Sequence, residues 1–239
     1  MGHLDYYSYQ ARARGVQTVA DVCEIARQRS YLYDRIVLPW LPRDRSASIA
    51  ELACGHGSFL AWLKEREYCD ITGVDFSTEQ IQLARQTGVA TCEMDFKQWL
   101  RERSAASCGA IVAIDMIEHI SKDEFMELLQ GANRVLAPGG RLILRFPNGD
   151  SPLVGRNLFN DITHVWTYTT NCLETLGRMH GFAGFQFEDE SAAAIRDGRW
   201  LKVPLCKLST FLLDLLFRAV TKEKVRYWSP NIWACLEKR

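Results

Sequence analysis

The chain lacks the charge imbalance that a polyanion-binding protein needs. Lysine plus arginine number 29 and aspartate plus glutamate number 29 in 239 residues, so the formal net charge is zero. Nucleic-acid binders carry a basic excess, and no nucleic-acid partner is expected. Eight cysteines, at 23, 54, 69, 92, 108, 172, 206 and 235, include no Cys-x-x-Cys pair. The usual zinc spacing is therefore missing, and no metal ligands are assigned from the sequence. Several of these cysteines lie in apolar runs, where a free thiol behaves as a small hydrophobe, which fits a reducing, cytoplasmic setting. No N-terminal apolar segment has the form of a signal peptide. No stretch reaches the roughly 18 apolar residues of a membrane-spanning helix. Internal repeats and low-complexity segments are also lacking. The length suits one α/β domain with additions, or at most two small domains, and a hydrophobic content of 47% is enough for a packed core.

What the chain does have is a repeated alternation of short apolar runs with helical patterns. Strands are expected at 48–53, 70–75, 89–93, 109–115 and 140–146, with helices at 57–66, 78–87, 96–103 and 122–137 between them. Ser77 or Thr78 can cap the second of these helices, and Ser121 with Glu124 forms a capping box for the last. Pro138-Gly139-Gly140 reads as the turn into the fifth strand. Such alternation calls for a parallel sheet with helices on both faces.

The first strand ends in Glu51-Leu52-Ala53-Cys54-Gly55-His56-Gly57. Small residues at 53, 55 and 57 let backbone approach a ligand closely, and the following helix start offers free N–H groups to anionic groups. The next strand ends in Asp75, 75 − 51 = 24 residues after Glu51. A carboxylate about 20 residues beyond such a loop suits ribose hydroxyls. Asp95 and Asp115 follow the third and fourth strands. Four acids thus lie at one sheet edge, where open α/β sheets bind ligands.

These pieces, together with Gly73-Val74-Asp75-Phe76-Ser77, Met94-Asp95-Phe96, Asp115-Met116-Ile117-Glu118-His119-Ile120 and Val135-Leu136-Ala137-Pro138-Gly139-Gly140, resemble class I S-adenosylmethionine-dependent methyltransferases over about residues 45–150. The resemblance implies a Rossmann-like α/β fold, a seven-stranded mostly parallel sheet of order 3-2-1-4-5-7-6. It implies S-adenosylmethionine as cofactor and S-adenosylhomocysteine as product. Glu51 would lie near the methionyl amino group, Gly55 and Gly57 would admit adenosine and carboxylate, and Asp75 would hold the ribose. Asp95 and the Phe96 amide would meet adenine, Phe76 and Ala53 would line the site, and Asp115 and Met116 would line the methionine moiety. Glu118-His119 points to the group that methylates small molecules, quinones and sugars. Ala53 stands where the family usually has glycine, and its preference for negative φ still lets the loop close.

Residues 1–45 read as an N-terminal helical cap and 46–239 as the methyltransferase domain, with Tyr31 and Tyr33 as pocket-wall candidates. Residues 147–169, dense in turn formers, form a long loop leaving the fifth strand. Loops of that length in compact domains are usually functional. Helix 170–180, strand 182–188 and a last strand at 231–237 complete the pattern. In 191–228, Leu205, Leu208, Phe211, Leu212, Leu215, Leu216, Ala219 and Val220 make an apolar stripe, widened by Leu213 and Phe217. It reads as a helix packed into the fold or a subunit interface, as in a homodimer. The alternative is a lid or a peripheral membrane contact flanked by Lys202, Lys207 and Arg218.

A hydroxyl acceptor gains from a base of pKa near 7, which favours histidine. His3 lies in a tail, His56 in the glycine loop and His180 at a helix end. The base is expected to be His164, with Asp161 fixing its tautomer, and His119 is the second candidate. The segments Asn148-Gly149-Asp150-Ser151-Pro152 and Phe159-Asn160-Asp161-Ile162-Thr163-His164 also resemble bacterial polysaccharide and O-antigen sugar methyltransferases. That likeness implies a sugar hydroxyl, on a nucleotide sugar or a glycan. Another small acceptor, such as a quinone precursor or a carboxylic acid, is the alternative.

Overall fold

The computed structural model describes residues 15–190 and 202–239, with side chains from 208 onward in the second segment. His3 and residues 191–201 lie outside the described residues, as do the side chains of Lys202, Leu205, Cys206 and Lys207.

A capping box between Thr18 and Asp21 starts helix α1 (Val19–Leu32), which continues through a π turn (Tyr33–Val37) and a 3₁₀ turn (Leu38–Trp40). Within the expected N-terminal cap the helix thus loosens in the π turn and then tightens in the 3₁₀ turn, which contains Pro39. The core elements follow in order: β1 (Ile49–Leu52), α2 (Ser58–Glu65), β2 (Ile71–Asp75), α3 (Thr78–Arg85), β3 (Ala90–Glu93) and α4 (Phe96–Glu102). Next come β4 (Cys108–Ile114), a 3₁₀ turn (Ile117–His119), α5 (Lys122–Val135) and β5 (Leu136–Pro147). Then α6 (Gly155–Phe159), α7 (Thr170–Met179), β6 (Phe182–Asp189), α8 (Lys202–Thr221) and β7 (Asn231–Lys238) complete the chain.

The sheet order is β3-β2-β1-β4-β5-β7-β6. Strands β1 to β5 pair in parallel, and β7 runs antiparallel to both β5 and β6. Alternation divides the strand side chains between two cores. Ile111 and Ala113 of β4 join Trp99 and Leu100 of α4, Phe125 and Leu128 of α5 and Leu173 of α7 on one face. Ala110 and Val112 join Val22 and Ala26 of α1, Phe59 and Trp62 of α2 and Ile81 of α3 on the other. An Arg66–Asp34 ion pair at 2.7 Å and a Trp62 indole bond to Asp34 at 3.2 Å fasten the N-terminal segment to α2.

Two sequence expectations are corrected. Pro138-Gly139-Gly140 is not a turn before the strand. β5 already begins at Leu136, pairing with Cys108, and a bulge before Ala110 absorbs the glycines. The stretch 147–169 is not loop throughout, because α6 forms within it. Its ends are held down: the Asn148 amide donates to the Tyr227 and Ser229 carbonyls at 3.2 and 2.9 Å, and the Ser151 hydroxyl donates to the Trp228 carbonyl at 2.8 Å.

Packing of α8 also departs from one expectation. Phe211, Leu216 and Val220 expose 64%, 65% and 84% of their surface, so most of the described stripe is uncovered, while Phe217 packs edge-on against Trp228. The cause is position: α8 lies between β6 and β7 in sequence, after both sheet faces are already covered by α1–α5 and α7. Among the described residues, no helix is long and apolar enough to cross a membrane.

Gly57 caps α2 at φ +83°, and a Cβ there would meet the Ala84 Cβ at 2.9 Å and its Cα at 3.2 Å. Gly57→Ala is expected to lower stability by about 2 kcal/mol or more, from left-handed strain plus overpacking. The midpoint of denaturant unfolding measures it, and an unchanged midpoint contradicts this packing.

Candidate functional site

The carboxyl ends of β1, β2 and β4 converge at the glycine loop. Glu51 lies inside β1 and is 4% exposed, and Asp75 ends β2 at 8%. Asp75 accepts the Gly55 N–H at 2.9 Å through one oxygen and the Ser77 N–H at 2.8 Å through the other. One carboxylate thereby shapes both the loop after β1 and the start of α3, and each oxygen keeps acceptor capacity. Ser77 caps α3, as expected.

Ala53 is a correction. It sits at φ +54°, the left-handed region, rather than the negative φ alanine prefers. Cys54 and Gly57 explain it: the Cys54 amide donates to the Val74 carbonyl at 3.0 Å and the Gly57 amide to the Cys54 carbonyl at 3.0 Å, so the turn's path is set on both sides. The strain costs about 1 kcal/mol. Asp115 is likewise at φ +52°.

Burial, with Asp75 close by, pushes the Glu51 carboxyl well above the usual carboxylate range, against the pull of Arg29. One Glu51 oxygen, Oε2, is buried without a hydrogen-bond partner. Burial also raises Asp75, opposed by its amide donors. Asp115 is ion-paired to Arg145, whose guanidinium donates to Glu190 at 3.1 Å. Those two acids hold Arg145 protonated despite its burial.

Asp95 caps α4, accepting the Lys97 amide at 2.8 Å, and Phe96 opens that helix. Phe76 follows β2 at 48% exposure, and Met116 is buried behind the β4 tip. The expected set Glu51, Ala53, Gly55, Gly57, Asp75, Phe76, Asp95, Phe96, Asp115 and Met116 thus lies along the carboxyl ends of β1 to β4.

Two residues escaped the sequence reading. Arg29, on α1, pulls electrostatically on Tyr33, Glu51 and Asp115. The spacing Val22, Ala26, Arg29, Tyr33 puts it on the inward stripe of α1, a signal available in the sequence. Arg145 was equally visible as a charge inside the apolar run of β5. Tyr33, a pocket-wall candidate, is fully buried against Phe59, Trp62 and Trp233. Tyr31 stays half-buried.

On the other side of β4 lies a histidine pair. His119 and His164 face each other edge to face at 4.6 Å between ring centroids. The expected Asp161–His164 contact is replaced by another arrangement. His164 Nδ1 bonds the Leu158 carbonyl at 3.0 Å, and a carbonyl only accepts, so the ring proton is on Nδ1. Asp161 instead accepts the Thr163 hydroxyl at 2.6 Å, and Thr163 accepts from His119 Nδ1 at 2.9 Å. Thr163, two residues from Asp161, stands between acid and ring. Both histidines therefore keep their lone pair on Nε2. Burial and the neighbouring His164 lower His119 to about 4, so it is neutral at pH 7.

Glu118, 2% exposed, lies beside the pair with Oε2 unpartnered. Burial and the neighbouring Asp115 push its carboxyl well above the ordinary range. Its backbone carbonyl accepts the Val165 amide at 2.7 Å, which holds the loop against the β4 tip. That loop, Leu158 to Thr167, lines a cleft of about 910 Å³ that includes Asp161, His164 and Trp166.

Residues 25–186 match the model of a family described as a methyltransferase domain. Over 122 residues the chain is 33% identical to a trans-aconitate 2-methyltransferase of Azoarcus sp. (strain BH72), covering 49% of this chain and 46% of that protein. The matched stretch is thus under half of that relative. Among solved structures, an S-adenosylmethionine-dependent methyltransferase from Archaeoglobus fulgidus superposes with a TM-score of 0.69 at 17% identity, over 89% of this chain and 94% of that one. Phosphoethanolamine N-methyltransferase 2 of Haemonchus contortus, in complex with S-adenosylmethionine, gives 0.58 at 16% identity, over 85% of this chain and 51% of that one. At such identities the likeness is one of fold.

Glu51 and Asp75 make a stability prediction. Both carboxyls are raised in the folded state, so their contribution is present below the unfolded value, 4.5 for Glu51, and is lost as pH rises through the folded value. Glu51→Gln is expected to melt above wild type at pH 8, with a gap that closes toward pH about 4. A gap that does not vary with pH contradicts the burial of an uncompensated carboxyl.

Proposed function

The chain belongs to the methyltransferase domain family, an S-adenosylmethionine-dependent class, and on that premise we propose that it methylates a hydroxyl oxygen of a sugar, on a nucleotide sugar or a bacterial surface glycan. The observation that carries this reading is the half-buried histidine pair beside the loop cleft, with tautomers set by Leu158 and by Asp161 through Thr163. A carboxylate acceptor is already a nucleophile and needs no base. A hydroxyl is a very weak acid and does.

S-adenosylmethionine, when bound, supplies a methyl carbon activated by a sulfonium leaving group. The orphaned buried Oε2 of Glu51, with the Asp75 carboxyl close by, fits a cationic cofactor. In this reading Glu51 takes the methionyl ammonium, Asp75 the ribose hydroxyls and Asp95 the adenine amino group. Gly55 and Gly57 let backbone approach, Asp115 and Met116 line the methionine arm, and Phe76 and Phe96 flank the adenosine. Ala53 shapes the turn. His164 Nε2 would accept the acceptor's proton as the hydroxyl oxygen is methylated, the cofactor's sulfur being the leaving group. His119, neutral at pH 7, packs against His164 and supports its orientation. Trp166, 45% exposed, offers a face to the apolar side of a sugar ring, and Asn160 and Asp161 offer polar groups to its hydroxyls.

A second reading draws on the trans-aconitate relative: a small carboxylic acid as acceptor. Lys122, 3.8 Å above the Trp166 ring, is the cation that supports it. Product analysis with sugar and carboxylate acceptors separates the two.

If the sugar is lipid-linked, the exposed Leu213, Leu216 and Val220 of α8 would rest on the membrane surface. Intact protein is expected to co-sediment with anionic vesicles and to lose this on Leu213→Ser with Leu216→Ser. Absence of sedimentation, or a dimer in solution that covers α8, contradicts that placement.

His164→Ala is expected to keep cofactor affinity by calorimetry while turnover falls on the order of 10²-fold or more. Near-normal turnover rejects His164 as base.

A further inference from the structure

We propose that Glu118, His119 and His164 form a site for one divalent first-row transition-metal cation, open toward the acceptor cleft. Each residue offers one ligand atom, and the three atoms lie within 4.8 Å of one another. Any triangle with sides no longer than 4.8 Å has a point within 4.8/√3, about 2.8 Å, of every corner. Metal–nitrogen and metal–oxygen bonds of about 2.0–2.2 Å then need each side chain to close by only about 0.6–0.8 Å.

Three features support a ligand set rather than a chance grouping. The first is the carboxylate: Glu118 Oε2 is buried and has no hydrogen-bond partner, a costly arrangement that a cation would relieve. The second is the outer contacts. Metal-ligating histidines donate their other N–H to a carbonyl or a carboxylate. His164 has its Nδ1 on the Leu158 carbonyl, and His119 has its Nδ1 on Thr163, itself bonded to Asp161. Both rings therefore hold Nε2 in the lone-pair form that binds metal. The third is the framework. Glu118 and His119 sit on the 3₁₀ turn after β4, and His164 is brought to them by the Val165 amide bond to the Glu118 carbonyl.

Two imidazoles and one carboxylate suit zinc, cobalt, nickel, iron or manganese rather than magnesium or calcium. Three protein ligands leave coordination positions open, and one of the three, His164, also lines the cleft proposed for the acceptor. This rests on the hydroxyl-acceptor reading only for the ion's use: an acceptor oxygen would complete its shell and become more acidic. With the ion seated, the Nε2 lone pair of His164 is a ligand in place of the base role proposed above for the metal-free chain, and the proton leaves to solvent water.

The test uses the full chain, stripped with a chelator and dialysed. Titration with Co2+, followed by its visible d–d bands, and with Zn2+ by calorimetry is expected to show one equivalent per chain. Glu118→Gln, which keeps the shape of the protonated acid, and His164→Ala are each expected to weaken binding on the order of 100-fold or more. His180→Gln, at the far end of α7, is expected to bind as wild type does. Circular dichroism and S-adenosylhomocysteine binding confirm that the variants fold. No Co2+ band in wild type, or equal binding by all variants, overturns the site. Chelator-treated protein that still turns over and loses turnover on His164→Ala overturns the ion's use and leaves the base reading standing. Cobalt bound without methylation of any hydroxyl does the reverse.

Discussion

Burial of the Glu51 and Asp75 carboxyls at neighbouring strand ends constrains the whole site. β1 and β2 pair in parallel with Leu52 opposite Val74, so the residues beyond them must share one edge. Asp75 spends its oxygens on the Gly55 and Ser77 amides and so sets the glycine loop and the start of α3. Glu51 has no such donors for Oε2. Removing a carboxylate from water without a partner is unfavourable. A cation brought against it converts that cost into binding free energy, which ties cofactor affinity to a local weakness of the ligand-free fold.

The remainder of the molecule holds that edge open. Apolar alternation in β4 and β5 builds two cores, so the sheet is rigid on both faces. Arg145 neutralises Asp115 and Glu190 where β5 reaches the same edge. The N-terminal segment, fastened to α2 through Asp34, packs Tyr33 against Phe59, Trp62 and Trp233 and brings Arg29 within electrostatic reach of Glu51. On the far side of β4 the Glu118 carbonyl holds the loop carrying His164. The acid-bearing strand edge and the cleft along Leu158–Thr167 are thus joined through the 3₁₀ turn after β4.

The strands and the acids near their tips were legible in the sequence because both follow from local rules, whereas the sheet order came from the family resemblance. Short apolar runs mark the strands, with Glu51 and Asp75 inside the ends of β1 and β2 and Asp95 and Asp115 just beyond β3 and β4. Side-chain pairing was not legible. Asp161 and His164 are three residues apart, yet Thr163 intercepts the carboxylate and passes it to His119, which lies 44 residues away. The positive φ at Ala53 was invisible because the turn is imposed by Val74 and Gly57, against alanine's own preference. The α8 stripe looked like core because hydrophobicity reports affinity for cover, not whether cover is present. The cluster of Glu118 with two histidines was missed because its members come from two segments joined only by the fold.

Calorimetric titration of S-adenosylhomocysteine into wild type and Glu51→Gln tests the central claim most directly. The account predicts one site per chain in wild type and a loss on the order of 10-fold or more in affinity in the variant, the size of a charged hydrogen bond. Equal affinity in the two proteins would contradict it.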